Sequence, residues 1–469
     1  MPIATVNPAT GQTVATFDAL SAVEIERRVA RAHEAFLSWR RAPLDQRIAV
    51  VRRAGELLDE RKEEYGRLMT LEMGKLFTAA RDEAAKCALA CRYYADEGPR
   101  ILAHQPVTSE GERGYVAFDP LGVVLAVMPW NFPFWQVLRF AAPAIVAGNT
   151  ALLKHASNVP QCALTIETLF RDAGAPEGVF QTLLIGSDAV PGLLADPRVA
   201  AVTLTGSEGA GSSVGGLAGK HLKPSVLELG GSDPFIVMPS ARLDAAVETA
   251  VRARTINNGQ SCIAAKRFIV HERIADDFER RFVAAFAALR VGDPMHPDTQ
   301  VGPLAGAQLV DDLEKQVRES VARGARVLAG GRRLDRAGFF FAPTVIADAP
   351  AGSPAYREEL FGPVATVFRA RDASDAIRIA NDTKFGLGSA VWTTDPREAE
   401  RFARELEAGT VFVNGMVSSD PRFPFGGVKA SGYGRELSDY GLREFVNVKT
   451  VRIFGLDSSA PGASGSTTE

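Results

Sequence analysis

A cysteine and a glutamate define the chemistry open to this chain. Cys262 ends the run Asn257-Asn258-Gly259-Gln260-Ser261-Cys262, and Glu228 lies in Leu227-Glu228-Leu229-Gly230-Gly231. A thiol and a remote carboxylate, each beside a glycine-containing turn, are the minimum set for covalent catalysis. With an ordinary pKa of about 8.5, a cysteine is only a few per cent thiolate near neutrality. It needs a base or a positive neighbour to become a nucleophile. A free cysteine can also be a small buried hydrophobe. The pattern Asn-x-Gly-Gln-x-Cys sets Cys262 apart from that reading, whereas Cys162 has no such context and reads as core.

Two further segments suit the same chemistry. Pro129-Trp130-Asn131 follows an apolar run, and Glu359-Leu360-Phe361-Gly362-Pro363 comes well after Cys262. Together the four segments resemble the aldehyde dehydrogenase superfamily, and the likeness runs from about Asn7 to about Thr450. The resemblance implies oxidation of an aldehyde to a carboxylate through a thioester on Cys262. It implies the side-chain amide of Asn131 and the backbone N–H of Cys262 as donors placed where oxyanion charge develops. Glu228 is then the general base for thioester hydrolysis, with Gly230 and Gly231 permitting close backbone approach. Apart from the resemblance, Asn131 before Phe-Pro reads as a turn former, and Glu228 as a buried ion-pair partner.

No Gly-x-Gly-x-x-Gly stands at a strand–helix junction. Leu204-Thr205-Gly206-Ser207 instead closes a strand and opens a Gly/Ser-rich helix start, where free N–H groups can receive a phosphate. In the resembled family the matching turn, Gly206 and Ser207 here, holds the dinucleotide. The likeness also implies Met128, Pro129, Trp130 and Leu229 as cofactor contacts, with Glu359 and Phe361 against the nicotinamide ribose and ring. Lys154-His155-Ala156-Ser157 is similar to the stretch that reads Lys-Pro-x-Glu in NAD-preferring members. A serine removes the repulsion that a glutamate exerts on a 2′-phosphate, and Lys154 adds positive charge, so NADP is expected, with NAD left open. Ser157 could also cap the following helix.

For the substrate, Met416-Val417-Ser418-Ser419-Asp420 resembles the compact succinic semialdehyde dehydrogenases and should form a loop at the substrate mouth. Trp135 and Arg139 follow Asn131 at spacings of four, on one helical face. Arg139 could grip a distal carboxylate in bidentate fashion, worth about 1.5–3 kcal/mol. Alternatively it pairs with a protein carboxylate at the domain interface. Ser261 and Ser419 could add hydroxyls. Longer relatives carry a second arginine where Ile256 stands, so glutaric semialdehyde or a neutral aldehyde stays open as substrate.

These residues need a scaffold. Ser21 with Glu24 forms a capping box ahead of Ile25, Val29, Ala32 and Phe36 at helical spacing. Further helices are expected from about Leu44 to Met73 and Phe77 to Glu97, then a projecting hairpin near Gly111 to Phe118. Apolar runs at Val123–Met128, Ala151–Lys154, Gln181–Ile185 and Ala201–Leu204 alternate with helices at Gln161–Ala173 and Ala189–Leu194, which implies a parallel sheet. A second alternating block runs from Pro234 to Phe412. The expected fold is α/β and aldehyde dehydrogenase-like: a Rossmann-type cofactor domain (1–100 and 120–229), an α/β catalytic domain (230–445) and a β oligomerisation flap (101–119 and 446–456). The flap implies a homodimer at least, or a homotetramer. Residues 457–469 read as a disordered tail.

The bulk composition fits that picture. The chain has 469 residues, 46% hydrophobic and 23% charged, with a net charge of −3, enough for two or three domains. This balance gives no electrostatic reason to expect nucleic acid or an anionic membrane as partner. No apolar run is long enough to span a bilayer, and the N-terminus lacks signal-peptide character. Cys87, Cys91, Cys162 and Cys262 do not make a disulfide framework, so a cytoplasmic setting is expected. Cys87 and Cys91 are spaced like half a metal site but have no histidine or further cysteine with them, and no metal is expected. A non-catalytic descendant would have lost Cys262, Glu228 or Asn131. A thiol hydrolase would not need Lys154, Glu359 or Phe361, and a CoA-acylating relative often dispenses with the glutamate base.

Overall fold

Two open sheets carry the chain, and their strand order decides where a ligand can sit. The computed structural model describes residues 3–109 and 112–454; the expected tail and the last residues of the expected flap lie outside the described residues. The first sheet has six strands in the order Gly432–Tyr433, Ser225–Glu228, Val199–Thr205, Val123–Met128, Thr150–His155, Phe180–Thr182. Five are parallel, and Gly432–Tyr433 pairs antiparallel with Ser225–Glu228. Val123–Met128 comes first in this block, and later strands flank it on both sides. Chain order therefore reverses there, and the crevice at the carboxyl ends opens beside Met128 and Thr205.

The second sheet has seven strands: Arg326–Ala329, Thr344–Ala347, Val364–Ala370, Arg267–His271, Pro234–Val237, Gly388–Trp392, Thr410–Val413. All run parallel except the first, an antiparallel edge. Buried strands read as continuous apolar runs, as Pro234–Val237 and Thr344–Ala347 do, because helices cover both faces. A third sheet joins Gln105–Ser109, Glu112–Pro120 and Val446–Ile453, all antiparallel. Val446–Ile453 is its edge strand, mostly exposed along its length.

Helices follow the sequence reading closely at the start. Ser21 and Glu24 form the reciprocal capping box ahead of Ala22–Trp39. The single helix expected from Leu44 to Met73 is two, Leu44–Glu60 and Lys62–Met73, because Arg61 leaves helical geometry (φ −107°, ψ 16°). The next helix runs on to Leu102, so the flap begins later than expected.

Trp135–Ala147 is the helix that matters most for the site, and all of its residues are buried. A helix start with no water beside it needs acceptors for its N–H groups. Glu83 supplies one: Oε1 accepts from the N–H of Phe134 at 2.9 Å and of Trp135 at 3.0 Å. The carboxylate also pairs with Lys75, and both side chains are almost wholly buried. Lys75 in turn lies 3.8 Å from the centre of the Phe132 ring, so the pair clamps the turn that follows Asn131. Removing Glu83 leaves a buried ammonium and two unmet N–H donors. Glu83→Ala is expected to cost about 3–5 kcal/mol, read as a fall in the urea or thermal unfolding midpoint, with Glu83→Gln costing less.

Candidate active site

The cysteine loop is built from backbone that few residues adopt. Asn257, Asn258 and Gly259 all have left-handed φ, at 53°, 58° and 79°. Asparagine and glycine are the residues that visit this region most readily, which accounts for the Asn-Asn-Gly in the motif. A Cβ at Gly259 would stand 2.3 Å from the Gly362 oxygen, so this turn also needs glycine for space. Side chains hold the strained turn: Asn258 Nδ2 donates to Gly74 O (2.9 Å) and Pro303 O (3.1 Å), and its Oδ1 accepts from Gly302 N (2.8 Å). Gln260 Oε1 accepts from Ala305 N at 2.9 Å. Lys266 Nζ donates to the carbonyls of Ser261 and Cys262, both at 2.8 Å, and pairs with Glu359 at 3.0 Å.

Cys262 emerges partly exposed from this loop, where two cavities meet. One of about 280 Å³ is lined by Pro129, Trp130, Gly206, Ser207, Leu229, Glu359 and Phe361. The other, also about 280 Å³, is lined by Trp135, Arg139, Ser261, Ser419 and Lys86 among others. Cys262 and Gln136 lie on both walls. A thiol between two compartments can meet a carbonyl from one side and a hydride acceptor from the other. Burial pushes it up to about 12, against the pull of Lys266.

Asn131 is aimed by its neighbours. Its Nδ2 donates to Gln260 O at 3.1 Å, and its Oδ1 accepts from Gln136 Nε2 at 2.9 Å. Its backbone carbonyl accepts from Asn257 Nδ2 at 2.7 Å. Gln136 was not singled out in the sequence. The available signal was an uncharged polar residue, five positions after Asn131, in a helix whose other polar side chain is Arg139.

Glu228 ends its strand almost wholly buried, and neither carboxylate oxygen has a hydrogen-bond partner. It lines neither cavity; its Oε1 faces Gly426, where a Cβ would come within 2.8 Å. Burial pushes Glu228 well above the carboxylate range, Glu436 adds to this, and Arg139 opposes it. A buried carboxyl of raised pKa with no partner is a candidate for proton exchange.

Arg139 requires a correction. It lines the second cavity, as the helical spacing predicted, but its guanidinium is not free to clamp a substrate. Nε pairs with Glu436, Nη2 donates to Thr205 Oγ1 at 3.1 Å, and the group sits 5.1 Å from the centre of the Phe425 ring. Pairing with a protein carboxylate is therefore the better of the two sequence readings. Lys86, which the sequence reading missed, shares this cavity and donates to Ser419 Oγ at 2.7 Å. Its signal was a lysine three and four positions after Glu83 and Asp82, on the face of a helix that also presents them.

A third groove, of about 650 Å³, is lined by Lys154, Ser157, Ile185 and Gly186. Ser157 does not cap the next helix, which begins at Pro160 with Val159 before it and no side-chain cap, so its hydroxyl is available to the groove. Asp18 and Asp188 also line it, but both are exposed, where water screens their repulsion of a phosphate. Ser207 caps its helix by accepting from Ala210 N at 3.3 Å, and Gly206 lines the first cavity beside it. Trp130 meets Phe361 edge-on at 5.8 Å. Met128 is buried behind Pro129 and lines none of these spaces. The residues present fit a dinucleotide whose adenosine lies by Lys154 and whose nicotinamide lies by Cys262.

Two outcomes follow. Arg139→Ala leaves Glu436 buried and unpaired, so it is expected to lose about 3–5 kcal/mol of stability. It should lower kcat/KM for neutral and carboxylated aldehydes alike; selective damage to the carboxylated one would contradict the pairing. Because burial holds the thiol up, alkylation of Cys262 by iodoacetamide in the cofactor-free protein should still be rising at about pH 9, beyond the ordinary cysteine value. Peptide mapping across a pH series measures this, and a plateau nearer neutrality would refute it.

Known proteins share this architecture throughout. The sequence model of the aldehyde dehydrogenase family matches residues 1–451. A succinate-semialdehyde dehydrogenase (NADP(+)) of Mycobacterium tuberculosis is 57% identical over 456 residues, covering 97% of this chain and 100% of that protein. A probable succinate-semialdehyde dehydrogenase (NADP(+)) of Synechocystis is 54% identical, with 97% and 100% covered. The crystal structure of succinic semialdehyde dehydrogenase from Streptococcus pyogenes in complex with NADP+ superposes with a TM-score of 0.94 at 38% identity, over 96% of this chain and 99% of that one. With its motifs, its sheets and its thiol cavity in agreement, this chain belongs to the aldehyde dehydrogenase family.

Proposed function

We propose that this protein oxidises succinic semialdehyde to succinate with NADP. The observation that carries the reading is Cys262 at the meeting of two cavities, one with positive charge and hydroxyls for a carboxylated aldehyde, the other leading to a nucleotide groove. The named relatives at 54–57% identity support it. Cys262 attacks the aldehyde carbon, and its proton passes to Glu228. Asn131 Nδ2 and the Cys262 N–H stabilise the oxyanion; Gln136 keeps the amide of Asn131 turned the right way. A bound dinucleotide would supply the hydride acceptor that lets the oxyanion collapse to a thioester. Once the thiol's proton has passed to solvent, the ionised Glu228 takes a proton from water attacking the thioester and returns it to the departing thiolate. The new acid loses its own proton to water, leaving the carboxylate and the free thiol.

For the cofactor, Lys154 and Ser157 would hold the adenosine ribose and its 2′-phosphate, and Gly206 and Ser207 would meet the pyrophosphate at their helix start. Pro129, Trp130 and Leu229 flank the nicotinamide half, with Met128 supporting them from behind. Phe361 would pack on the ring, and Glu359 would hold the ribose. For the substrate, Trp135 forms a wall, and Ser261 and Ser419 donate to the carboxylate.

The proposed domains remain a cofactor domain (1–100 and 120–229), a catalytic domain (230–445) and a flap. Both Val446–Ile453 and Thr410–Val413 are sheet edges with unpaired backbone groups, and strand addition between copies would satisfy both. A homodimer or homotetramer built this way is part of the proposal. So is a cytoplasmic setting: the described cysteines are all free, and no helix among the described residues is long and apolar enough to cross a membrane.

The test is steady-state NADPH formation with succinic semialdehyde and with butanal. The expected kcat/KM is at least about tenfold higher for succinic semialdehyde, the worth of one charge-assisted contact; equal values would reduce the reading to a general aldehyde oxidation. Ser157→Glu should cut kcat/KM for NADP at least about tenfold relative to NAD, by like-charge repulsion in the groove. An unchanged ratio would detach Ser157 from the cofactor.

A further inference from the structure

The charges in the substrate cavity do not cancel. Three cations line it: Lys75, Lys86 and Arg139. Glu83 neutralises Lys75, and Glu436 neutralises Arg139. Lys86 has no carboxylate within ion-pair distance among the described residues. Asp420, on the facing loop, is held by Arg422 through both oxygens, at 2.6 and 2.9 Å. Asp82, also on the cavity wall, is exposed to water.

Hydrogen-bond polarity points the same way. The Lys86 ammonium donates to Ser419 Oγ and stands 4.4 Å from the centre of the Trp135 ring. Because Ser419 accepts from Lys86, its own O–H is free to donate, and the ammonium keeps N–H donors to spare. Ser261 is fully buried on the same cavity wall, with an Oγ that has no partner. A buried hydroxyl without a partner is costly, and donors converging beside an uncompensated cation make an anion site.

We infer that Lys86, with Ser419 and Ser261, binds the distal carboxylate of the aldehyde whose carbonyl meets Cys262. Lys86 is thereby the residue that selects short aldehydes ending in a carboxylate, and Arg139 braces the wall. This assignment rests on the substrate reading proposed above and names the group that enforces it.

Burial pulls the Lys86 ammonium down to about 8, with Arg139 on the Trp135 helix adding to the fall. Glu83 and Cys87 on its own helix and Asp420 on the facing loop oppose it. The charged form is lost as pH rises through that value. The ratio of kcat/KM for succinic semialdehyde to that for butanal should therefore fall above about pH 8, while effects on the shared chemistry cancel in the ratio.

The experiment compares wild type with Lys86→Met, which keeps the length and removes the charge, and Lys86→Arg, which restores it. In Lys86→Met the ratio should fall about ten- to a hundredfold, chiefly through KM for succinic semialdehyde, and Lys86→Arg should recover most of it. A second readout needs no turnover: succinate should protect Cys262 from iodoacetamide in wild type, and about tenfold more should be needed in Lys86→Met. An unchanged ratio with unchanged protection overturns the inference, as does failure of succinate to protect wild type. Protection that depends on Lys86, in a wild type that does not prefer succinic semialdehyde to butanal, upholds the carboxylate site and overturns the substrate reading alone.

Discussion

Charge removed from water must be paired, and around Cys262 that requirement fixes three separate parts of the chain against one another. Lys75 with Glu83 seats the start of the Trp135 helix, Arg139 with Glu436 ties that helix to the late segment after Phe425, and Lys266 with Glu359 joins the cysteine loop to the Phe361 segment. Apolar packing is non-directional and tolerates small slips. A buried ion pair loses several kcal/mol if one partner is removed, so each of the three sets a position that packing alone would leave loose. The thiol stands among all three.

The exceptions are the groups to which the proposed function assigns roles. Glu228 is a buried carboxylate with no hydrogen-bond partner, and Lys86 and Lys154 are partly buried cations that line a cavity and a groove without a carboxylate within ion-pair distance among the described residues. An unmet polar group is unfavourable in the resting protein, and the two lysines line spaces where a ligand could meet them. Pairing builds the scaffold, and its deliberate omission marks the places where chemistry or recognition occurs.

Much of this was readable beforehand, for reasons of period and conformation. Parallel strands buried on both faces leave apolar runs, so Val123–Met128 was located to the residue. Asn-Asn-Gly spells out three left-handed residues, so the cysteine loop was legible as a turn. What escaped were pairings between distant segments. Nothing local to Arg139 reveals Glu436, and nothing local to Lys86 reveals Ser419. Helical spacing placed Arg139 on the correct wall yet could not say which carboxylate it meets. Arg61 broke a helix that its periodicity would have continued, since a change of φ and ψ at one residue leaves no compositional trace.

Burial acts on the thiol and on the proposed base together. Removing water raises Cys262 to about 12 and raises Glu228 well above the carboxylate range. Because both move upward, burial favours the neutral form of each group in the resting site. In the reaction proposed above, the donors of Asn131 and the Cys262 backbone would act on the oxyanion with less screening in such a drier site. The penalty falls on the ground state with no substrate present, and the gain appears only as charge develops on the substrate oxygen. That difference between states, rather than tight binding of either, is what accelerates a reaction.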